Sequence, residues 1–187
     1  MLRLISISLL LAVAPAWAVW PLPQHFSNGT TALRLSSTFY IQVTGIKNCP
    51  QDLEAAIQRT TTYLHKDQLQ ALVPDRGASS AHAIQAAPVL QSLTLRLEGN
   101  SPVRSISEEA IVAVESRVEG YKLTIPADGK AATLTANSTL GLFRGLTTFG
   151  QLWYDWQGST YTLQAPFDIA DFPAYARSLP ILSNPKT

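Results

Sequence analysis

Apolar and polar residues alternate with period two at Phe39, Ile41 and Val43, again at Leu93, Leu95 and Leu97, and again at Tyr121, Leu123 and Ile125. Successive side chains of a strand point to opposite faces, so each stretch predicts a strand with one buried face. Ala132, Leu134 and Ala136 continue the alternation beyond Asp128-Gly129, a dipeptide suited to a tight turn because both residues tolerate positive φ. Tyr121 to Ala136 therefore predicts a β-hairpin.

Two stretches change to helical spacing. The first starts near Asn48 and Pro50, places Asp52 and Glu54 where they complement the helix dipole, and sets Leu53, Ile57, Thr60 and Leu64 on one face. Leu72 is the furthest end the pattern allows. The second follows Asn137 and aligns Leu142, Leu146, Phe149 and Trp153 in a stripe flanked by Phe143 and Leu152, which is expected in the core. Gly141 and Gly145, one turn apart, each cost about 1 kcal/mol of helix propensity, so their expected use is to let the helix approach the sheet closely. Pro74 to Pro88 is rich in alanine, serine and glycine without periodicity and reads as a surface loop. Ser105 to Glu115 stays open: Ser105 and Glu108 fit a capping box, while Ile111, Val112 and Val114 also suit a strand. The order strand, helix, strands, helix predicts an α+β fold, a two-layer sandwich of a mostly antiparallel sheet with two helices on one face.

The first 18 residues read as a secretory signal peptide: Arg3 supplies the positive charge, Leu4 to Val13 the apolar run and Ala16-Trp17-Ala18 the cleavage site, so the mature chain is expected to start at Val19. The run is about half of the roughly 20 apolar residues that span a bilayer. The expected location is secreted, either extracellular or in a vacuolar or lysosomal lumen, with no membrane contact after cleavage. The remainder of the 187 residues suffices for one domain. A net charge of +1, with both signs interspersed, shows no footprint for nucleic acid or anionic lipid. Cys49, the single cysteine, has two readings: a buried free thiol, or half of a disulfide whose partner lies in chain outside this sequence. Two N-x-[ST] glycosylation sequons are present, Asn28-Gly29-Thr30 in a turn-like stretch and Asn137-Ser138-Thr139 ahead of the second helix. Asn28 is the expected site, because a helix N-cap role would limit access to Asn137.

Chemistry-bearing patterns are sparse. His25, His65 and His82 lack metal-ligand spacing, and there is no H-E-x-x-H, no G-x-S-x-G elbow and no glycine-rich phosphate loop. Glu108 and Glu109 point in different directions on a helix or a strand alike. Arg144, the one charge within the apolar second helix, is expected to pack its stem and cap a neighbour. No catalytic, cofactor or metal site is expected.

Four segments carry a family resemblance. Val19-Trp20-Pro21-Leu22-Pro23 resembles a W-P-x-P opening, Glu119-Gly120-Tyr121-Lys122-Leu123-Thr124-Ile125 an E-x-Y-x-L-x-I strand, and Gly141 to Leu152 a G-x-x-R-G-L-x-T-F-x-Q-L helix, followed by Ile169-Ala170-Asp171-Phe172-Pro173-Ala174-Tyr175. Together they resemble the N-terminal, zincin-like domain of the glycoside hydrolase family 20 β-N-acetylhexosaminidases. The resemblance assigns residues 19–173 to that domain and leaves 174–187 as a divergent tail where the catalytic barrel should begin. It implies a partner, a (β/α)₈ barrel that removes terminal N-acetyl-hexosamines by substrate-assisted catalysis, with an aspartate orienting the acetamide and an adjacent glutamate as general acid. This sequence has no Asp-Glu dipeptide, and after Arg177-Ser178-Leu179 it continues as Pro180-Ile181-Leu182 instead of the family's D-T-x-R. The favoured reading is a supporting domain, inactive alone, from a truncated or partial hexosaminidase gene product. The alternative is a secreted binding or regulatory module that docks onto a full-length hexosaminidase; a small independent hydrolase has no residue constellation in its favour.

Overall fold

The structure, a computed structural model, describes residues 19–66, 75–99 and 102–172. The expected signal peptide, the stretch of the first helix toward Leu72 and the tail 174–187 lie outside the described residues. Among the described residues, six strands and four α-helices follow in the order β1 (His25–Thr44), α1 (Gln51–Lys66), α2 (Ala81–Ala86), β2 (Val89–Leu97), α3 (Ile106–Ala110), β3 (Tyr121–Ile125), β4 (Ala132–Ala136), α4 (Thr139–Gln151), β5 (Tyr154–Trp156) and β6 (Ser159–Asp171). The α+β expectation holds.

The sheet order is β1-β2-β4-β3-β6-β5. Pairing is parallel for β1–β2 and β2–β4 and antiparallel for the others, so the sheet is mixed with antiparallel pairs in the majority. Strand β1 is the unusual member. Its first half runs antiparallel to β6, with Phe26 opposite Ile169, and its second half parallel to β2, with Ile41 opposite Leu93. Register shifts between Asn28 and Leu33, and between Leu35 and Tyr40, accompany the change of partner. The pairings thereby close a circuit through β1, β2, β4, β3 and β6.

The period-two pattern becomes the core face. Leu123 sits between Leu134 of β4 and Ile169 of β6, and Leu95 lies beside Leu134, all four fully buried. Their neighbours Lys122 and Thr124 face solvent. Helices α1 and α4 cover the core: Leu53 and Leu64 are buried from α1, and Leu142, Leu146 and Phe149 from α4. Phe149 stacks on Phe39 at 5.8 Å and meets Trp153 edge-on at 5.5 Å. Burying a side chain of this size contributes about 1.5–3 kcal/mol.

The two helical glycines act as expected. A Cβ on Gly141 would lie 2.5 Å from the Gly120 carbonyl oxygen, and one on Gly145 would collide with the Leu134 side chain. Glycine at both places lets α4 settle directly onto β3 and β4.

Several expectations are corrected. The stretch Pro74 to Pro88, described from residue 75, is not a plain surface loop: after Gly77, in the left-handed region at φ 94°, a 3-10 turn over Ala78–Ser80 leads into α2, whose Ile84 is buried. One turn and a half with a single buried residue is too short to show periodicity. Within Ser105 to Glu115, Ile106–Ala110 form the short helix α3 with a complete capping box from Ser105 and Glu108, and a 3-10 turn begins at Val114. Ile111 and Val114, beyond the helix, remain exposed. The N-cap of α4 is Ser138, not Asn137. Trp153 lies beyond the end of α4, though buried as expected. In the β3–β4 hairpin only Gly129 takes positive φ, while Asp128 accepts a hydrogen bond from the Lys130 amide.

Candidate docking site at the domain edge

The described residues of the four segments behind the family resemblance meet at one edge of the domain. Glu119, just before β3, accepts a hydrogen bond from Arg144 Nε of α4 at 2.9 Å and lies 3.9 Å from Arg117. Tyr121 on β3 is buried, and its hydroxyl lies 2.6 Å from Thr148 Oγ1 on α4. Burial pushes the Tyr121 phenol up, and the Asp171 charge adds to the effect, against the hydrogen bond with Thr148. It stays neutral. At the end of α4 the Gln151 amide grips the Trp20 backbone at both ends: Oε1 accepts from the Trp20 N–H at 2.7 Å, and Nε2 donates to the Trp20 carbonyl at 3.1 Å. Gln24 is tied to the end of β6, its N–H donating to Asp171 at 3.2 Å and its Nε2 to the Phe172 carbonyl at 2.6 Å.

Between these contacts lies a cleft of about 310 Å³, walled by Trp20, Pro21, Glu119, Tyr121, Arg144 and Asp171 among others. Trp20 is 83% exposed, and Leu22 and Phe172 are more than half exposed. Phe172 is also where the described chain leaves β6. An indole, a phenyl ring and a guanidinium presented together, with the neighbouring carboxylate already held in ion pairs, suit binding to another surface. Arg144 is thus a rim ion-pair partner of Glu119; the expected capping role is replaced by this pair.

The residues singled out by chemistry are not gathered. His25, His65 and His82 are exposed on β1, α1 and α2, and His65 Nε2 lies 3.1 Å from the Phe39 carbonyl. Among the described residues, no group of three or more His, Cys, Asp or Glu side chains is placed to hold a metal ion. Glu108 is spent on its capping box, where the Ser105 N–H and hydroxyl hold its carboxyl below the usual range. Burial raises Glu109, with the charge of Glu108 adding to it and Arg104 opposing. Cys49 is half-buried just ahead of α1; burial pushes its thiol up, as do Glu54 and Asp52, which disfavours the reactive thiolate.

Asp52 is a structural anchor that composition did not reveal. Its Oδ2 accepts from the Ser107 N–H at 2.9 Å and the Ser107 hydroxyl at 3.0 Å, so one carboxylate in the first turn of α1 also holds the first turn of α3. Burial pushes its pKa up, but hydrogen bonds from Ser107, Ile106 and Leu53 outweigh it, and the net shift is downward. Of the two sequons, Asn28 is not in a turn: it is half-buried within β1, opposite Phe167, with Nδ2 donating to the Gly29 carbonyl at 3.1 Å. Asn137 is exposed in the turn ahead of α4. Among the described residues, no helix is long and apolar enough to cross a membrane.

Comparison with known proteins places this geometry. A search of curated proteins returns no match. The chain is similar to the solved chitobiase of Flavobacterium johnsoniae, at 20% identity and a TM-score of 0.53, covering 84% of this chain and 21% of that one. It is also similar to the N-acetyl-β-hexosaminidase of Streptomyces plicatus, at 21% identity and a TM-score of 0.44, covering 85% of this chain and 27% of that one. The first likeness shows the fold. The chain thus spans about a fifth of the chitobiase's length and about a quarter of the Streptomyces enzyme's. The family model described as β-acetyl hexosaminidase-like matches residues 19–152, which run from the W-P opening through the strand and helix that build the cleft. The chain therefore belongs to the β-acetyl hexosaminidase-like family, whose N-terminal domain it contains.

Proposed function

We propose that this domain is the non-catalytic support of a secreted β-N-acetylhexosaminidase, and that it presents its cleft edge to the enzyme's catalytic barrel. In this reading the 187 residues are a partial product of a longer hexosaminidase gene and are inactive alone. The convergence of all four family-like segments on one edge, beside exposed Trp20, Leu22 and Phe172, carries the reading. An apolar edge at the point where the chain leaves β6 suits a domain that follows in the same chain.

The test is to express residues 19–172, assay a chromogenic N-acetylglucosaminide, and supply a hexosaminidase barrel in trans. Absence of turnover together with binding that Trp20→Ala weakens supports the reading. Turnover by the isolated domain, or binding insensitive to Trp20, would sink it. A second reading, a separate module that docks on a complete hexosaminidase, is favoured by the apolar groove of about 290 Å³ between α1 and α4, lined by Tyr63, Leu146 and Gly150. Capture of the complete enzyme by a domain whose groove is intact, lost on Leu146→Asp and kept on Trp20→Ala, would select it.

A further inference from the structure

Asn137 lies one residue ahead of the α4 N-cap, and its two sequon partners are fixed beneath it. The buried Ser138 hydroxyl accepts from the Gly141 N–H at 2.9 Å and donates to the Val118 carbonyl; the buried Thr139 hydroxyl donates to the Arg104 carbonyl at 2.8 Å. With the N-cap role taken by Ser138, the Asn137 side chain is left in solvent, and among the described residues no hydrogen bond holds its amide. Asn28 is the opposite case, a half-buried amide in a paired strand with its Nδ2 engaged. An N-glycan replaces one hydrogen of that same nitrogen, so its bulk has room at Asn137 and meets the sheet at Asn28.

Beside Asn137 a cleft of about 230 Å³ opens toward the segment 102–118, bordered by Arg104, Glu109, Val112 and Val118. Val118 is 46% exposed, and Ile111 and Val114 on the same segment are more exposed still. The chemistry of that strip, apolar carbons beside a guanidinium and a carboxylate, matches a pyranose ring, which offers C–H groups on its face and hydroxyl and acetamide groups at its rim.

We infer that Asn137 is the glycan-bearing asparagine of the folded domain, and that the first sugars lie along the 102–118 flank and cover Val118. The inference rests on the chain entering the secretory pathway, so the experiment separates the two. The wild type, Asn28→Gln and Asn137→Gln are secreted from a eukaryotic host, once with residues 1–18 and once with an unrelated cleavable leader. With the unrelated leader, endoglycosidase treatment shifts the wild type and Asn28→Gln, and Asn137→Gln loses the whole shift. Peptide mass spectrometry of the wild type, where enzymatic release converts a glycosylated asparagine to aspartate, reads the site without any variant. Sugar at Asn28 alone, or at neither residue, overturns the inference. A shift seen only with the unrelated leader upholds the inference and removes the secretion reading. Release of the glycan from folded protein raises binding of a hydrophobic dye; unchanged dye binding overturns the covering of Val118.

Discussion

The two sides of α4 are held in opposite ways. On the cleft edge, apart from the Arg117–Glu119 pair, the fixing contacts join distant parts of the chain: Trp20 to Gln151, Gln24 to Asp171, Tyr121 to Thr148 and Glu119 to Arg144. On the 102–118 flank much of the holding is local, through the Ser105–Glu108 capping box and the bond from Arg117 Nε to the Val112 carbonyl. Asp52 from α1, the turn at Ser138 and Thr139, and the packing of Ile106 against the core tether it from afar. Edges fixed by long-range contacts hold their shape as long as the fold does, whereas locally held segments open at lower cost. The rigid edge suits a permanent interface, and the looser flank suits a covering.

The comparison breaks first at Gly141. Gly141→Ala pushes a methyl against the Gly120 carbonyl, which cannot rotate aside as a side chain can; we expect a loss of roughly 2 kcal/mol by denaturant unfolding, net of the propensity gained. Gly150→Ala is the control, because its Cβ would meet the Tyr63 ring at an ordinary 3.6 Å, and it should be neutral or stabilising by up to about 1 kcal/mol. Ser138→Ala removes the cap that joins both sides and should cost about 1 kcal/mol, with faster hydrogen exchange at the Gly141 amide.

Asp52 sharpens the contrast through pH. Its pKa is lower folded than unfolded, so its contribution is complete above the ordinary aspartate value of about 4 and is lost as pH falls through the folded value. Asp52→Asn should lower stability at neutral pH and flatten the acid limb of a stability-versus-pH curve; an unchanged limb would remove Asp52 as the tether of the flank. Smallest is Arg144→Ala, an exposed ion pair whose loss should change stability by less than about 1 kcal/mol, leaving its weight to binding.

Much of this architecture was legible where periodicity is strong. Leu93 to Leu97, the hairpin from Tyr121 to Ala136 and both long helices stand where alternation and the 3.6-residue spacing put them. The first half of β1 was not, because His25 to Thr38 mixes Ser, Thr, Asn and Gly and is bound as a strand by its partners rather than by its own preference. Strand β6 was missed for a related reason: Thr162 and Ala165 are as deeply buried as Phe167 and Ile169, so no hydropathy pattern marks the early part of the strand. The cleft edge had no local signal either. Its residues were visible only as pieces of four family-like motifs, and the ion pair and hydrogen bonds explain why Glu119, Arg144 and Gln151 belong to those motifs. The cap of α4 fell on Ser138 rather than Asn137 because two adjacent residues can cap the same helix, and sequence alone does not choose between them.

The closed circuit of strands also sets an order of events during synthesis. Strand β1 emerges from the ribosome first, yet its leading half finds its neighbour only in β6, near the end of the domain. At about 5–20 residues per second, that wait is on the order of ten seconds, during which Phe26 and Leu33 have no sheet to enter. Until β6 arrives, the leading half of β1 has no partner among the described strands, and the last of these to be translated is the one that closes the circuit.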